Sequence, residues 1–259
     1  MTELVQYEVG DDRVATITLN RPDKLNAINA EMLAEVRRLW GIVRDDDQVH
    51  AVVFRAAGTR AFSTGLDRQK GFAYPDNVWN KPDPGESLDP RHLKVWKPVI
   101  TAINGICAGG AFYVVGGSDV VIVAEDATFF DPHVDFGLVA ALEPISMLRR
   151  MPLGEVLRMS LMGVEERMSA QRAHQIGLAS EIVPPEKLWE RAHHVARVIA
   201  GKPSVATQGT VRAIWESLDA GRTQAMARGL QYTQIGNDLG IKQVENMLAS
   251  GKRKPFEVR

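Results

Sequence analysis

The chain of 259 residues carries 31 basic and 32 acidic side chains, a formal charge of −1, and so lacks the broad positive field that nonspecific binding to nucleic acid or an anionic membrane requires. With 45% hydrophobic and 24% charged residues it can bury a large core, which excludes disorder for the bulk of the chain. The lone cysteine, Cys107, excludes an intrachain disulfide and a structural zinc site built on several thiolates, and makes a reducing, cytoplasmic location the expectation.

Residues 1–10 hold two acids, no positive segment and no apolar segment, so they read as neither a signal nor a transit peptide. No run approaches the roughly twenty apolar residues of a membrane span. Residues 14–19 (VATITL) alternate apolar and polar side chains and then meet Asn20, Arg21, Pro22 and Asp23, a turn cluster that ends a strand. From Asn29 the period changes. Met32, Leu33, Val36, Leu39, Trp40 and Val43 recur at three- and four-residue steps, with Glu31, Glu35, Arg37, Arg38 and Arg44 opposite them. This predicts an amphipathic helix capped by Asn29.

A second strand, residues 51–56, runs into a glycine-punctuated loop at 58–67, and a third, 98–104, runs into Gly105, Gly109 and Gly110. Helix-forming residues 111–115 and a fourth strand, 120–124, follow. Strand, small-residue loop and helix thus alternate, which predicts an α/β or mixed layered fold. The stretch 69–92, with Pro75, Pro82, Pro84 and Pro90, reads as a surface loop; a mobile wall of a substrate pocket is the second reading, because Phe72, Tyr74 and Trp79 are costly to leave in water. After Pro144 the chain reads as helices separated by Gly154, Gly163, Gly177, Pro184, Pro185, Gly201 and Gly221. The boundary falls between 185 and 202 and is drawn here as a body, 1–195, and a helical region, 196–259. Leu188, Trp189, Ala192, Val195, Ala196 and Ile199 form an apolar stripe that needs either the body or another subunit, and Ile214 with Trp215 adds another.

Six of these pieces, in order and at matching spacing, resemble the enoyl-CoA hydratase/isomerase (crotonase) family: residues 14–33, 61–67 (AFSTGLD), 97–119 (KPVITAINGICAGGAFYVVGGSD), 120–129, 168–183 and 252–256. The resemblance implies an α/β fold, a spiral of ββα units with a C-terminal helical region that builds a homotrimer or a dimer of trimers. It also implies a fatty-acid type of acyl-CoA chemistry with no metal and no separate cofactor, coenzyme A being part of the substrate. The backbone N–H groups of Leu66 and Gly110 become the expected oxyanion donors, the latter opening a helix. Two such donors about 3 Å from a thioester oxygen stabilise its developing charge by a few kcal/mol. Lys24, Leu25 and Ala27 match one lip of the coenzyme A groove, and Thr64, Gly65, Asp67 and Arg68 the other, with Arg68 and Lys70 placed to meet phosphates or simply solvated.

The chain departs from the family where hydratases carry two glutamates, for those positions hold Tyr113 and His133. A tyrosine of ordinary pKa gives a proton more easily than it takes one at neutral pH, whereas a histidine does either. His133 is therefore the expected proton carrier, oriented by Asp131 and Asp135 if that loop is extended, since neighbours two apart then share a side. Tyr113 and Glu143 are the further candidates; Glu143 also reads as a first-turn helix acid before Pro144. His193 and His194 are adjacent on a helix and cannot chelate one metal as an i, i+4 pair could, and Cys107 reads as a small buried filler. Three functions follow: a nominal enoyl-CoA hydratase; an isomerase or a C–C or thioester hydrolase using His133; and a noncatalytic acyl-CoA-binding protein.

Overall fold

The computed structural model describes residues 3–67, 76–77, 79–248 and 257–258. Strands β1 (Val5–Val9) and β2 (Val14–Leu19) pair antiparallel, turning where Arg13 takes a φ of 65° and its N–H donates to Gly10 O at 2.9 Å. Helix α1 (Ala30–Asp45) begins where predicted: the Asn29 side chain accepts from the Met32 N–H at 3.0 Å, a cap that contributes about 1 kcal/mol. Its buried face is Met32, Leu33, Val36, Leu39, Trp40 and Val43, as the period requires.

Three repeats follow. Strands β3 (Ala51–Ala56) and β4 (Ala61–Ser63), β5 (Val99–Ile103) and β6 (Ile106–Ala108), then β7 (Val120–Ala124) and β8 (Thr128–Phe130) each send their first member to one sheet and their second to another. Helix α2 (Phe112–Gly117) closes the second repeat; α3 (Leu142–Met147) and α4 (Leu153–Met162) close the third. Strand β9 (Met168–Ser169), helix α5 (Ala170–Gln175) and strand β10 (Glu181–Val183) lead to α6 (Leu188–Ala200). The larger sheet has the order β1-β2-β3-β5-β7-β10 and is parallel except for β1; the smaller, β4-β6-β8-β9, is parallel except for β9. At the sheet-to-sheet corner of the second repeat Gly105 has a φ of +54°, and a Cβ there would lie 2.3 Å from Arg60 O, so only glycine fits.

Both faces of the larger sheet are covered, which is why its parallel strands read as near-continuous apolar runs. On one face Trp40 of α1 stacks on Phe54 of β3, centroids 5.7 Å apart, and Phe54 meets Phe62 at 6.1 Å. On the other, Leu188, Ala192, Ala196 and Ala200 of α6 are buried against Val14, Ala51, Val53, Ile100 and Ile122. The α6 stripe read as a candidate subunit surface is therefore largely covered by the chain's own sheet, and small alanines let the helix approach closely. Gly154 separates nothing, for it lies inside α4. Trp79 is 94% exposed and so packs on little of the described chain; Phe72 and Tyr74 lie outside the described residues.

The chain divides into two units, Met1–Ala200 and Gly201–Arg259. The division falls beyond residue 195 because α6 keeps its buried face on the sheet to its last residue. The second unit pairs α7 (Ser204–Ser217) with α8 (Arg222–Leu248), joined through Glu216, which accepts from Tyr232 Oη and from Arg212 Nε at 2.8 Å. Among the described residues no helix is long and apolar enough to cross a membrane.

Candidate active site

The carboxyl ends of β4, β6 and β8, adjacent strands of the smaller sheet, lead directly to Leu66, Gly110 and His133. Parallel strands deliver their following loops side by side, the arrangement in which α/β folds place ligand sites. Leu66 forms a parallel bridge with Ile28, whose N–H donates to Gly65 O at 2.9 Å and whose O accepts from Asp67 N–H at 2.8 Å. Those bonds flank Leu66, so its own N–H turns to the opposite side. Gly110 lies at the start of a short 3₁₀ turn, Gly109–Ala111, where first-turn N–H groups lack intrahelical acceptors. Among the described residues neither N–H has a hydrogen-bond partner. The two loops abut: Gly65 has a φ of +87°, and a Cβ on it would lie 2.8 Å from Gly110 N, while one on Gly110 would lie 3.2 Å from Leu66 N. This geometry can offer two donors to one oxyanion.

The two expected lips of a coenzyme A groove are knit together. Thr64 N–H donates to Leu25 O at 3.2 Å, and Arg21 Nη1 donates to Ala27 O at 2.9 Å and pairs with Asp67 Oδ2 at 2.6 Å. Lys24 is exposed at the rim. Asp67 is thus engaged in holding Arg21, and Arg68 and Lys70 lie outside the described residues. Sequence reasoning missed Asn26 and Ser63. Buried Asn26, at a φ of 53°, donates to Ala57 O and Ala61 O, both at 2.9 Å, and accepts from Arg21 N–H at 2.9 Å. Ser63 Oγ donates to Asn26 O at 2.8 Å and accepts from Gly65 N–H at 3.1 Å. An asparagine between left-handed Leu25 and a strand-like Ile28 was the available signal, since asparagine tolerates positive φ.

His133 sits beside the donors, its Cε1 3.9 Å from where a Cβ on Gly109 would be. Its Nδ1–H donates to Asp131 Oδ1 at 2.5 Å, and its backbone N–H reaches the same oxygen at 3.1 Å. Asp131 is wholly buried, so this bond fixes the ring and leaves Nε2 as the reactive nitrogen. Nε2 lies 3.5 Å from Glu143 Oε1. Glu143 stands in the first turn of α3, as expected of a helix acid, and that turn also carries it into the site, buried. Asp135 does not join them. Residues 134–136 form a 3₁₀ turn rather than an extended run, and Asp135 Oδ2 accepts from Val164 N–H at 2.9 Å.

Tyr113 Oη donates to Asp83, a residue the sequence reading did not single out, and its ring lies against Gly85, where a Cβ would be 2.0 Å from Cε2. Burial, then the Asp83 bond, pushes the phenol up, so its proton is held rather than offered. The signal for Asp83 was the Asp-Pro-Gly run at 83–85: Asp83 Oδ1 caps Gly85 N–H at 3.1 Å. Cys107 is buried, which raises its thiol.

Burial also raises the Glu143 carboxyl above its ordinary 4.5, with Asp131 and Asp83 acting the same way and His133 opposing. The folded state therefore holds this proton more tightly than the unfolded chain. Stability falls as pH climbs from 4.5 through the raised value, because the folded state must then carry a buried charge. Glu143→Gln removes that loss. Its Tm is expected to exceed the parent's at pH 8, the difference shrinking towards pH 4; thermal melts giving the same difference at both pH values would contradict the assignment.

Fold and site together define an α/β protein with two converging backbone donors beside an imidazole–carboxylate pair, the equipment for holding a polarised carbonyl and moving a proton next to it. The family model described as "Enoyl-CoA hydratase/isomerase" matches residues 10–252. The chain is 30% identical over 242 residues to (E)-benzylidenesuccinyl-CoA hydratase of Thauera aromatica, covering 89% of this chain and 88% of the relative. It is 33% identical over 198 residues to 1,2-epoxyphenylacetyl-CoA isomerase of Escherichia coli, covering 74% of each. The crystal structure of an enoyl-CoA hydratase/isomerase from Mycobacterium paratuberculosis superposes with a TM-score of 0.82 at 40% identity over 90% of both chains. The chain belongs to the enoyl-CoA hydratase/isomerase family.

Proposed function

We propose that this chain isomerises the double bond of an enoyl-CoA thioester, moving a proton between the α- and γ-carbons through His133 while Leu66 and Gly110 hold the enolate oxygen. The observation that supports it is the state of the first hydratase position: Tyr113 has its proton committed to Asp83, so among the described residues a single proton-transfer centre, His133 with Glu143, remains beside the donors. A 1,3-shift needs one such centre, whereas hydration needs a base for water and an acid for the α-carbon. In this reading Nε2 of His133 takes the proton, the electron pair moves onto the thioester oxygen, and the proton returns at the other carbon. Lys24, Leu25, Ala27, Thr64 and Gly65 line the coenzyme A groove, and a proton shift calls for no separate cofactor.

Hydration is the second reading, supported by Glu143, whose raised carboxyl can supply the acid while His133 serves as base. Supplying 3-hexenoyl-CoA should produce the absorbance of a conjugated thioester. No gain there, with bleaching of crotonyl-CoA, would replace isomerisation by hydration; free thiol would indicate hydrolysis, and tight binding without product a noncatalytic role. We also propose a homotrimer, or a pair of trimers. Leu142 and Ile145 of α3, Leu148 just after it, and Leu153, Leu157 and Leu161 of α4 are exposed, more apolar surface than a monomer normally leaves in water. Sedimentation should give a trimer or hexamer mass, and a concentration-independent monomer mass would contradict this.

A further inference from the structure

His133 opens a turn that closes on itself. Its backbone O accepts from Phe136 N–H and from Leu138 N–H, both at 3.0 Å, and Gly137 N–H donates to Val134 O at 3.0 Å. With Gly137 left-handed, the bonds from Leu138 and Gly137 are the pair of a Schellman motif, which holds the backbone from 133 to 138 as one unit. The direction in which the imidazole leaves the chain therefore follows the orientation of the whole turn. Apolar burial contributes little to that orientation, because Val134, Phe136, Leu138 and Val139 are exposed. Asp135, inside the turn, ties it to another element. Its Oδ2 accepts from Val164 N–H at 2.9 Å, just past the end of α4, and the carboxylate lies over Gly163, where a Cβ would come within 2.0 Å of Oδ2. Glu143 is held separately. Ser146 Oγ donates to Glu143 O at 2.7 Å, and α3 packs on α2, where a Cβ on Gly116 would lie 2.5 Å from Ser146 Oγ. Helix α3 leads into α4, so Asp135 joins the turn of His133 to the helical pair that carries Glu143.

We propose that Asp135 is a positioning residue for the reaction: by pinning the turn at 133–138 to the end of α4, it sets the 3.5 Å separation of His133 Nε2 from Glu143 Oε1. This role rests on the reading that His133 carries the proton. Asp131 holds the near edge of the turn through one oxygen, which accepts from both the backbone N–H and the ring of His133. A single point of attachment leaves the turn free to swing about it, and the second, at Asp135, stops that rotation. Without it the ring keeps its bond to Asp131 and its tautomer but loses its register with Glu143 and with the reacting carbons, and proton transfer is sensitive to such misplacement.

The test measures kcat and KM on 3-hexenoyl-CoA, or on crotonyl-CoA if hydration is the reaction, for the parent, Asp135→Ala, Asp135→Asn and His133→Asn. Asp135→Ala should lose at least about tenfold in kcat, short of the hundredfold that a displacement of about 1 Å can cost. Its KM and its calorimetric affinity for butyryl-CoA should stay within about twofold of the parent's, the pattern of an interaction that matters only in the transition state. Asp135 is exposed, so the variant should fold, which circular dichroism checks. Asp135→Asn loses the charge yet still offers Val164 N–H a carbonyl oxygen, and should return kcat to within about threefold of the parent's. Parental kcat in Asp135→Ala overturns the proposal, and so does an asparagine variant as slow as the alanine one, which would assign the loss to charge. A slow His133→Asn beside a fast Asp135→Ala removes only the role of Asp135. His133→Asn at the parental rate, or a parent that turns over neither thioester, removes the proposed function and this role with it.

Discussion

His133→Asn is expected to lower kcat on the true substrate by about 10²–10⁴, the usual contribution of a positioned acid or base. Acyl-CoA affinity should stay near the parent's, because the donors and the groove come from other loops. Asparagine preserves much of the size and can still donate to Asp131 Oδ1, the partner that the ring holds at 2.5 Å, so the site keeps its local bond and loses only the titrating nitrogen. The pH–rate profile of the parent should contain an inflection that disappears in the variant. Turnover at the parental rate would make His133 structural and leave Glu143 as the proton carrier.

Gly110→Pro removes one of the two unpaired donors without adding a polar atom. The expected loss is at least about a hundredfold in kcat, corresponding to roughly 2.7–4 kcal/mol of transition-state stabilisation for one oxyanion donor. Proline is tolerated in the first turn of a helix, so circular dichroism should report a folded chain. A Cβ there lies 2.9 Å from Leu66 Cγ, which can turn aside, and 3.2 Å from Leu66 N, so the variant also shifts the second donor by a few tenths of an ångström and the loss is expected at or above that of one donor. An unchanged kcat in folded protein would sink the assignment of this N–H.

What was legible in the sequence follows from range. The face of α1 could be read because a 3.6-residue period is local; the candidate donors came from the resemblance to the family, the glycines of the two loops only permitting the close backbone approach it requires. The Asp-Pro-Gly run marks Asp83 as a cap, but not as the partner of Tyr113, which lies 30 positions away and meets it only in the folded loop. Asp135 was misread because the geometry assumed an extended chain, while Gly137 at a φ of +68° ends a 3₁₀ turn that swings the carboxylate towards Val164. Glu143, read both as a first-turn acid and as a further catalytic candidate, is a first-turn acid that the fold also sets 3.5 Å from His133. The α6 stripe showed that an apolar face needed cover; it carried no information on whether that cover was the chain's own sheet. Coenzyme A contacts remain a proposal for the same reason, as rim residues obey no period.

The placement of Leu66, Gly110 and His133 after three neighbouring strands bears on how such a site changes over evolutionary time. Strand spacing of about 4.8 Å fixes how far apart the loops start, whatever side chains they carry. Two loops contribute main-chain groups, which any sequence compatible with their backbone shape supplies, and the third contributes a side chain. With the roles proposed above, a substitution in the third loop would exchange one proton carrier for another without disturbing carbonyl capture. On that proposal the scaffold separates the inheritance of electrophile binding from the inheritance of acid–base chemistry, so a new reaction would need to arise in only one of its three loops.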